Sequence, residues 1–356
     1  MADRLLAFYR YDVGRTDSIT LHLQKADSTF TQPVHYIFKN ELDKKVDNDT
    51  ISEKTENDTI VKKPKKLTRS EKKEKRIKDR EERRFNNKRG YNRLKDKSIR
   101  EFRMVGVVSS IAYLKIRGFS GGHRWSKKFY EETFHAIDSL GSKSLILDLR
   151  DNTGGSLKEI GNLYGYLTNS EYTLVNPLET KRRLIETRTM WSGRPTLIGN
   201  FFRVLATPVT IVYDLIKVRN KNGKTASYYK YTKPQMPKPN AFKGDIYVLI
   251  NGLSFSASSV LSHNLHGSKR ATFIGEETGG AYNSTVAGTY LSRYLPNSKI
   301  FVPVWMMNFE SDYKEEPDGY GIKPDIELQP NLEDFLNEKD TVLEKALDEI
   351  GSKKSD

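Results

Sequence analysis

The sequence predicts an α/β protein: a mixed, mostly parallel sheet with crossover helices, preceded by a partial β-rich region. Two apolar runs, SLILDLR (144–150) and GDIYVLI (244–250), show no polar alternation, the pattern of strands covered on both faces. Each passes through a short turn into helical spacing, SLKEIGNLYGYLTN and SASSVLSHNL, which is the strand, turn and helix of a crossover unit. A third run, ATFIG, enters the glycine turn EETGG in the same way.

The elements follow in order. Residues 1–41 carry the alternating pieces SITLHLQ and PVHYIFK, expected as half-buried strands but too few to close a core. Residues 42–103 read as a basic, solvated insertion or linker: Val61 to Gly90 hold 15 Lys/Arg against 5 Asp/Glu, a net of +10, and the rest of the +14 chain is taken as near balance. Thr68 and Glu71 form a capping-box pattern, so part of this segment is expected as an exposed helix. It lacks the interleaved aromatics of a single-strand binding surface, so nucleic acid is not expected as a partner, with electrostatic contact of residues 61–90 with nucleic acid or anionic lipid as the alternative.

Residues 104–335 form the expected core. MVGVVSSIAYLKIRGF supplies strands, and Trp125, Phe129, Phe134 and Ile137 make the apolar stripe of a helix. Residues 171–244 are expected as strands and one helix on the substrate side. Residues 336–356 give an amphipathic helix, DTVLEKALDEIG, closed by Gly351, and a tail.

Composition excludes several classes. There are 0 cysteines, hence no disulfide, thiolate metal site or Cys nucleophile. No apolar run approaches the roughly 20 residues that span a bilayer, and MADRLLAFYRYDVGR lacks the features of a signal peptide. DNTGGS and ETGGAYNS match neither GxxxxGK[ST] nor GxGxxG, and no metal or other cofactor is expected.

Three turns, DNTGG (151–155), SFSAS (254–258) and EETGG (276–280), each follow a buried-type strand. In a parallel sheet the carboxyl ends of the strands share one edge, so the turns are expected to converge there. A serine opening the helix after SFSAS would expose its Oγ beside free backbone N–H groups, the donors that an acyl-transfer oxyanion needs. The alternative is that these serines only cap the helix.

LILDLRDNTGG, then VLINGLSFSASSVLSHNLHGSKRATFIGEETGG, then DGYGIKPDIEL, in this order, resemble the core of the C-terminal processing (tail-specific) serine protease family over about residues 104–330. The resemblance implies a crotonase/ClpP-like protease core, Ser256 as nucleophile, and an oxyanion hole from the amides of Ala257 and of Gly154 or Gly155. It further implies that Ser254, Ser258, Gly279 and Gly280 lie on the substrate side. Members with a Ser-Lys dyad place the lysine where this chain has Ala281, so the resemblance is to the tricorn-type branch, which uses a histidine base and a carboxylate. Asp318 matches that carboxylate; a turn aspartate in Pro-Asp-Gly is the alternative.

The branch's histidine motif does not occur in this sequence. His263 and His266 lie 7 and 10 residues beyond Ser256 on one helix, roughly 10 and 15 Å away at about 1.5 Å per residue. His22, His35 and His135 fall in strand or surface positions, and His123, in FSGGHRW, is the nearest substitute. No base is assigned. Either Met1 follows a lost helical and PDZ-like region that carried it, or the chain is a non-catalytic, peptide-binding relative. By the resemblance the substrate is an extended polypeptide and the setting a bacterial envelope or periplasm; the sequence gives no oligomeric state.

Overall fold

The computed structural model describes residues 18–25, 28–35, 68–92, 96–106, 110–120, 122–192, 196–221, 223–298, 300–310, 312–315, 317–337 and 339–353. The chain divides into two units, residues 1–68 and 69–356. In the first, β1 (Ser18–Lys25) and β2 (Ser28–His35) pair antiparallel, with Ser18 opposite His35 and Lys25 opposite Ser28. The alternating pieces thus form strands, although the end of PVHYIFK and the segment 42–67 lie outside the described residues.

The second unit opens with α1 (Arg69–Arg89), β3 (Tyr91–Asn92), β4 (Lys97–Ser98), β5 (Arg100–Val105) and β6 (Ile111–Ile116). It continues through α2 (His123–Ser139), β7 (Ser144–Asp148), α3 (Leu157–Leu167), β8 (Leu178–Thr180), α4 (Ile185–Ser192) and α5 (Leu197–Lys217). Then come β9 (Val218–Lys221), β10 (Lys224–Ser227), β11 (Asp245–Ile250), α6 (Ala257–Gly267) and β12 (Ala271–Gly275). It ends with β13 (Ser284–Tyr294), β14 (Phe301–Glu310), β15 (Ile326–Glu327), α7 (Leu332–Leu336) and α8 (Thr341–Ser352).

Six strands form the main sheet in the order β15-β12-β11-β7-β6-β5. Every neighbouring pair is parallel except β5 with β6. The mixed, mostly parallel sheet is therefore as the apolar runs predict. Side chains alternate along β7: Leu145 and Leu147 join Phe134, Leu163 and Leu261 on one face, while Ile146 joins Tyr247, Leu249 and Ile274 on the other. Helices α2, α3 and α6 cover the first face. Val342, Ala346 and Ile350 of α8, spaced by one helical turn, cover the second. Residues 336–356 thus include a helix of the core, and Gly351 lies inside α8 instead of closing it.

The boundary expected at residue 104 falls within β5, because that strand begins with the buried pin of the unit. Arg100 is fully buried; its Nε donates to Glu159 Oε1 at 2.7 Å, its Nη1 to the Lys88 carbonyl at 3.2 Å, and its Nη2 to the Ser120 carbonyl. Tyr130 Oη donates to the same Glu159 oxygen at 3.0 Å. One ion pair thereby joins α1, β5, α2 and α3. The rest of α1 buries no residue, in keeping with an exposed basic helix.

The stretch 171–244 departs from its expected single helix. It contains α4 and α5 beside a second, antiparallel sheet ordered β13-β14-β8-β10-β9. The strand-like text IETRTMW is helical because Asp214 of α5 caps it from outside: its two carboxylate oxygens accept from the amides of Glu186 and Thr187, each at 3.0 Å. A tertiary cap of this kind outweighs the strand preference of Ile, Thr and Trp.

Candidate active site

Strands β7, β11 and β12 are adjacent and parallel, so their carboxyl ends deliver three turns to one place. Hydrogen bonds lock the turns together. Asn152, fully buried, donates from Nδ2 to the Ile116 carbonyl at 2.8 Å and accepts the Gly154 amide on Oδ1 at 2.9 Å. Its own carbonyl accepts the Phe255 amide at 2.9 Å. Asp151 and Asn251 exchange backbone and side-chain bonds at 3.0 and 3.1 Å. From the third turn, the Gly280 amide reaches the Ser254 carbonyl at 3.4 Å.

Ser256 stands where these contacts meet, one residue before α6, with φ 56° and ψ −118°. Glycine adopts that conformation readily and other L residues do so at a cost. Its carbonyl already accepts the Val260 amide at 3.0 Å, so the chain turns from strand to helix within one residue. Such a sharp turn projects a serine Oγ outward at the head of a helix. Ser256 makes no side-chain cap bond and lines a cavity of about 670 Å³.

Gly155 also lines this cavity and Gly154 does not. The Gly154 amide is engaged by Asn152, and a Cβ on Gly154 would stand 2.8 Å from the Ala257 nitrogen. Gly155 has φ 139°, and a Cβ there would overlap the Phe119 carbonyl, whose oxygen accepts the Ser156 amide at 2.8 Å. Gly279 and Gly280 abut the serine turn closely: added Cβ atoms would overlap the Gly252 carbonyl and Ser259 Oγ respectively.

Ser254 and Ser258, placed on the substrate side by sequence, are both fully buried. Ser254 Oγ donates to the Leu149 carbonyl at 2.9 Å and accepts the Asn251 amide at 3.1 Å, so it holds the turn from beneath. Asp318 is exposed and outside the cavity lining; its Oδ1 accepts from Asn283 Nδ2 at 3.0 Å and from the Gly319 amide at 2.9 Å. His263 is buried with its ring 4.6 Å from that of Tyr282, and its pKa is lowered to about 4 by burial first and then by His266. His266 Nδ1 lies 3.2 Å from Tyr282 Oη and 3.4 Å from Glu315 Oε1. Both histidines therefore serve the 282–315 side of α6.

The cavity's charged lining is Lys158, Lys217, Lys230 and Glu186, with Tyr213, Tyr229 and Trp305 among its apolar walls. Burial raises the Glu186 carboxyl, and Asp214 nearby adds to that. His123 begins α2, its pKa lowered by burial and then by Lys158 and other lysines. Sequence reading missed Asn152 and this lysine set; an Asn between a buried strand and a Gly-Gly pair was the available signal for the first. Among the described residues, no group of three or more His, Asp and Glu could hold a metal ion.

Comparison with known proteins places the chain. Similar solved structures include a candidate peptidase from Parabacteroides merdae ATCC 43184, at 18% identity over 70% of this chain and 63% of that one, TM-score 0.43. A photosystem II D1 C-terminal processing protease matches at 18% identity over 62% and 43%, TM-score 0.38. Mature CPAF complexed with lactacystin matches at 16% over 70% and 53%, TM-score 0.45. The chain thus spans 43% to 63% of the lengths of these three. Among curated proteins none matches. The model of peptidase family S41 matches residues 110–328, more than half of the sequence and all three turns, and the chain belongs to that family.

Proposed function

We propose that this chain carries the nucleophile and oxyanion hole of a serine-type peptidase acting on extended polypeptides, within the C-terminal processing group of its family. The observation that carries this is Ser256 itself, held at φ 56° at the head of α6 with its side chain on the cavity. Strain of this kind persists where the surroundings fix it, and it concentrates at working sites.

In the reaction, Ser256 Oγ attacks the scissile carbonyl carbon and gives its proton to a base. The oxyanion accepts from the amides of Ala257 and Gly155, one at a helix start and one on the cavity wall. Collapse breaks the C–N bond as the base returns the proton to the departing amine, and water then hydrolyses the acyl ester. No described histidine hydrogen-bonds Ser256, so we assign the base to residues outside those described or outside this chain. Asp318, whose Oδ2 makes no bond among the described residues, orients that base. Lys158, Lys217 and Lys230 favour a carboxylate on the bound peptide, at its end or in a side chain. The chemistry needs no cofactor, and a bacterial envelope or periplasm is the setting that the family resemblance suggests.

A Ser256 hydroxyl without a partner among the described residues is also what a non-catalytic peptide binder of the same fold would show, and one experiment separates the readings. A fluorophosphonate applied to the full-length protein is expected to label Ser256, with labelling lost in Ser256→Ala. Labelling of a different serine would sink the assignment. Binding of peptides to an unlabelled full-length protein would favour the non-catalytic reading.

A further inference from the structure

Helix α5 is inside out. Its inward side is polar: Asp214 is 1% exposed, Thr187 Oγ1 of α4 lies 3.1 Å from Thr210 Oγ1, and Trp191 Nε1 of α4 donates to Thr207 Oγ1 at 3.0 Å. Its outward side is apolar, with Phe201, Phe202, Leu205, Val209, Val212 and Ile216 all exposed, Val209 at 71%, and Leu197 at its start at 92%. At about 100° per residue the first six positions fall within roughly 100° of the circumference, and within about 140° with Leu197, a continuous face. Scattered exposed apolar residues are ordinary in proteins, but a contiguous face of this size marks a contact surface.

Charge indicates what covers it. Lys181 to Lys238 contain 13 Lys/Arg against two Asp/Glu, a net of +11, so the positive charge of the chain lies in two segments and the remainder is acidic. Exposed members flank α5: Lys181, Arg182 and Arg183 on the approach to α4, Arg188 on α4, and Arg219 directly after α5, its Nε bonded to the Ile216 carbonyl at 3.1 Å. Trp191, 42% exposed, and Tyr213, 43%, sit at the edges, an amphipathic pairing suited to a lipid–water boundary. A second copy of this surface would bring two such positive rims together. No helix among the described residues is long and apolar enough to cross a membrane, so the face would lie on a surface instead of spanning it.

We propose that the outward face of α5 docks on the surface of an anionic lipid bilayer. Apolar side chains enter the boundary region and the flanking Lys and Arg meet the headgroups. Because Tyr213 and Lys217 of the same helix line the cavity at Ser256, docking would hold that cleft beside the membrane. The proposal does not depend on whether Ser256 is catalytic.

The test is sedimentation of the full chain with vesicles of phosphatidylglycerol and phosphatidylcholine, against vesicles of phosphatidylcholine alone. Binding is expected only to the first, weakening with salt. It should be lost in the double variant Phe202→Asp, Val209→Asp and fall at least about thirtyfold in Arg182→Glu, Arg183→Glu, with circular dichroism and Tm unchanged in both. Failure to bind the anionic vesicles, or equal binding to both kinds, overturns the proposal. So does binding that survives Phe202→Asp, Val209→Asp, which would place the lipid contact elsewhere, for instance in the basic segment 61–90. Light scattering that finds a dimer in lipid-free solution, made monomeric by that variant, would assign the face to a second copy.

Discussion

Replacing Ser256 by glycine is expected to stabilise the protein while removing the proposed nucleophile. At φ 56° and ψ −118° a residue with a Cβ stores about 1–3 kcal/mol, which glycine releases. Against this, glycine gains freedom in the unfolded chain worth roughly 0.4–1 kcal/mol. No cap is lost, since the Ser256 side chain makes no cap hydrogen bond. The balance is a gain of about 0.5–2 kcal/mol for Ser256→Gly, whereas Ser256→Ala keeps the strain and stays near wild type. For a unit of this size each kcal/mol moves Tm by roughly 2 °C, so a rise of about 1–4 °C separates the two variants. Thermal and urea unfolding followed by circular dichroism measure it. If Ser256→Gly melts below Ser256→Ala, the turn is not strained as the backbone angles indicate, and the argument from strain to function fails with it.

Three further outcomes follow from the same geometry. Gly155→Ala should lower stability by about 2 kcal/mol or more and abolish labelling of Ser256, because its Cβ would overlap the Phe119 carbonyl and φ 139° suits only glycine; chemical denaturation and labelling report both. Glu159→Gln leaves the Arg100 guanidinium buried without its carboxylate and should cost about 3–5 kcal/mol, much of it recovered in Arg100→Met, Glu159→Leu. His263, held neutral with a pKa near 4 against 6.5 when free, makes the unfolded state the better proton binder between those values. Stability is therefore complete above about pH 6.5 and falls by about 3 kcal/mol as pH drops to 4; His263→Phe should flatten that slope in a pH series of urea melts.

The main sheet was legible because its strands are covered on both faces: β7 and β11 are unbroken apolar text, and their glycine and serine turns name their own positions. The turns' convergence followed from parallel neighbours alone. What the sequence hid depends on partners remote in the chain. Helix α4 exists where Asp214, 28 residues after Glu186, supplies its cap, and no local window contains that information. Helix α5 turns its apolar side outward, so the usual inference from apolar to buried inverts there. Averaging charge over the chain concealed the basic surface, since the net +11 of Lys181 to Lys238 is offset by acidic residues elsewhere. Arg100 read as one more charge of a solvated insertion, although it is buried against Glu159.

The strained serine explains why so many buried polar groups surround it. A residue held off its preferred backbone region relaxes unless its neighbours over-determine it, and here the constraint on each side of Ser256 comes from different strands. Asn152 ties the preceding Phe255 to the end of β6, Ser254 Oγ ties the turn to Leu149 after β7, and the Gly280 amide approaches from the end of β12. The Ala257 amide is fixed because it begins α6, and the Gly155 position is fixed by the pairing of its neighbours Gly154 and Ser156 with Phe119. The proposed nucleophile and oxyanion donors therefore stand in place before any base arrives. On the proposed reading, a base brought by another segment has only to reach the half-buried Ser256 on the cavity wall, so activity would rest on that one contact and leave the rest of the site unaltered.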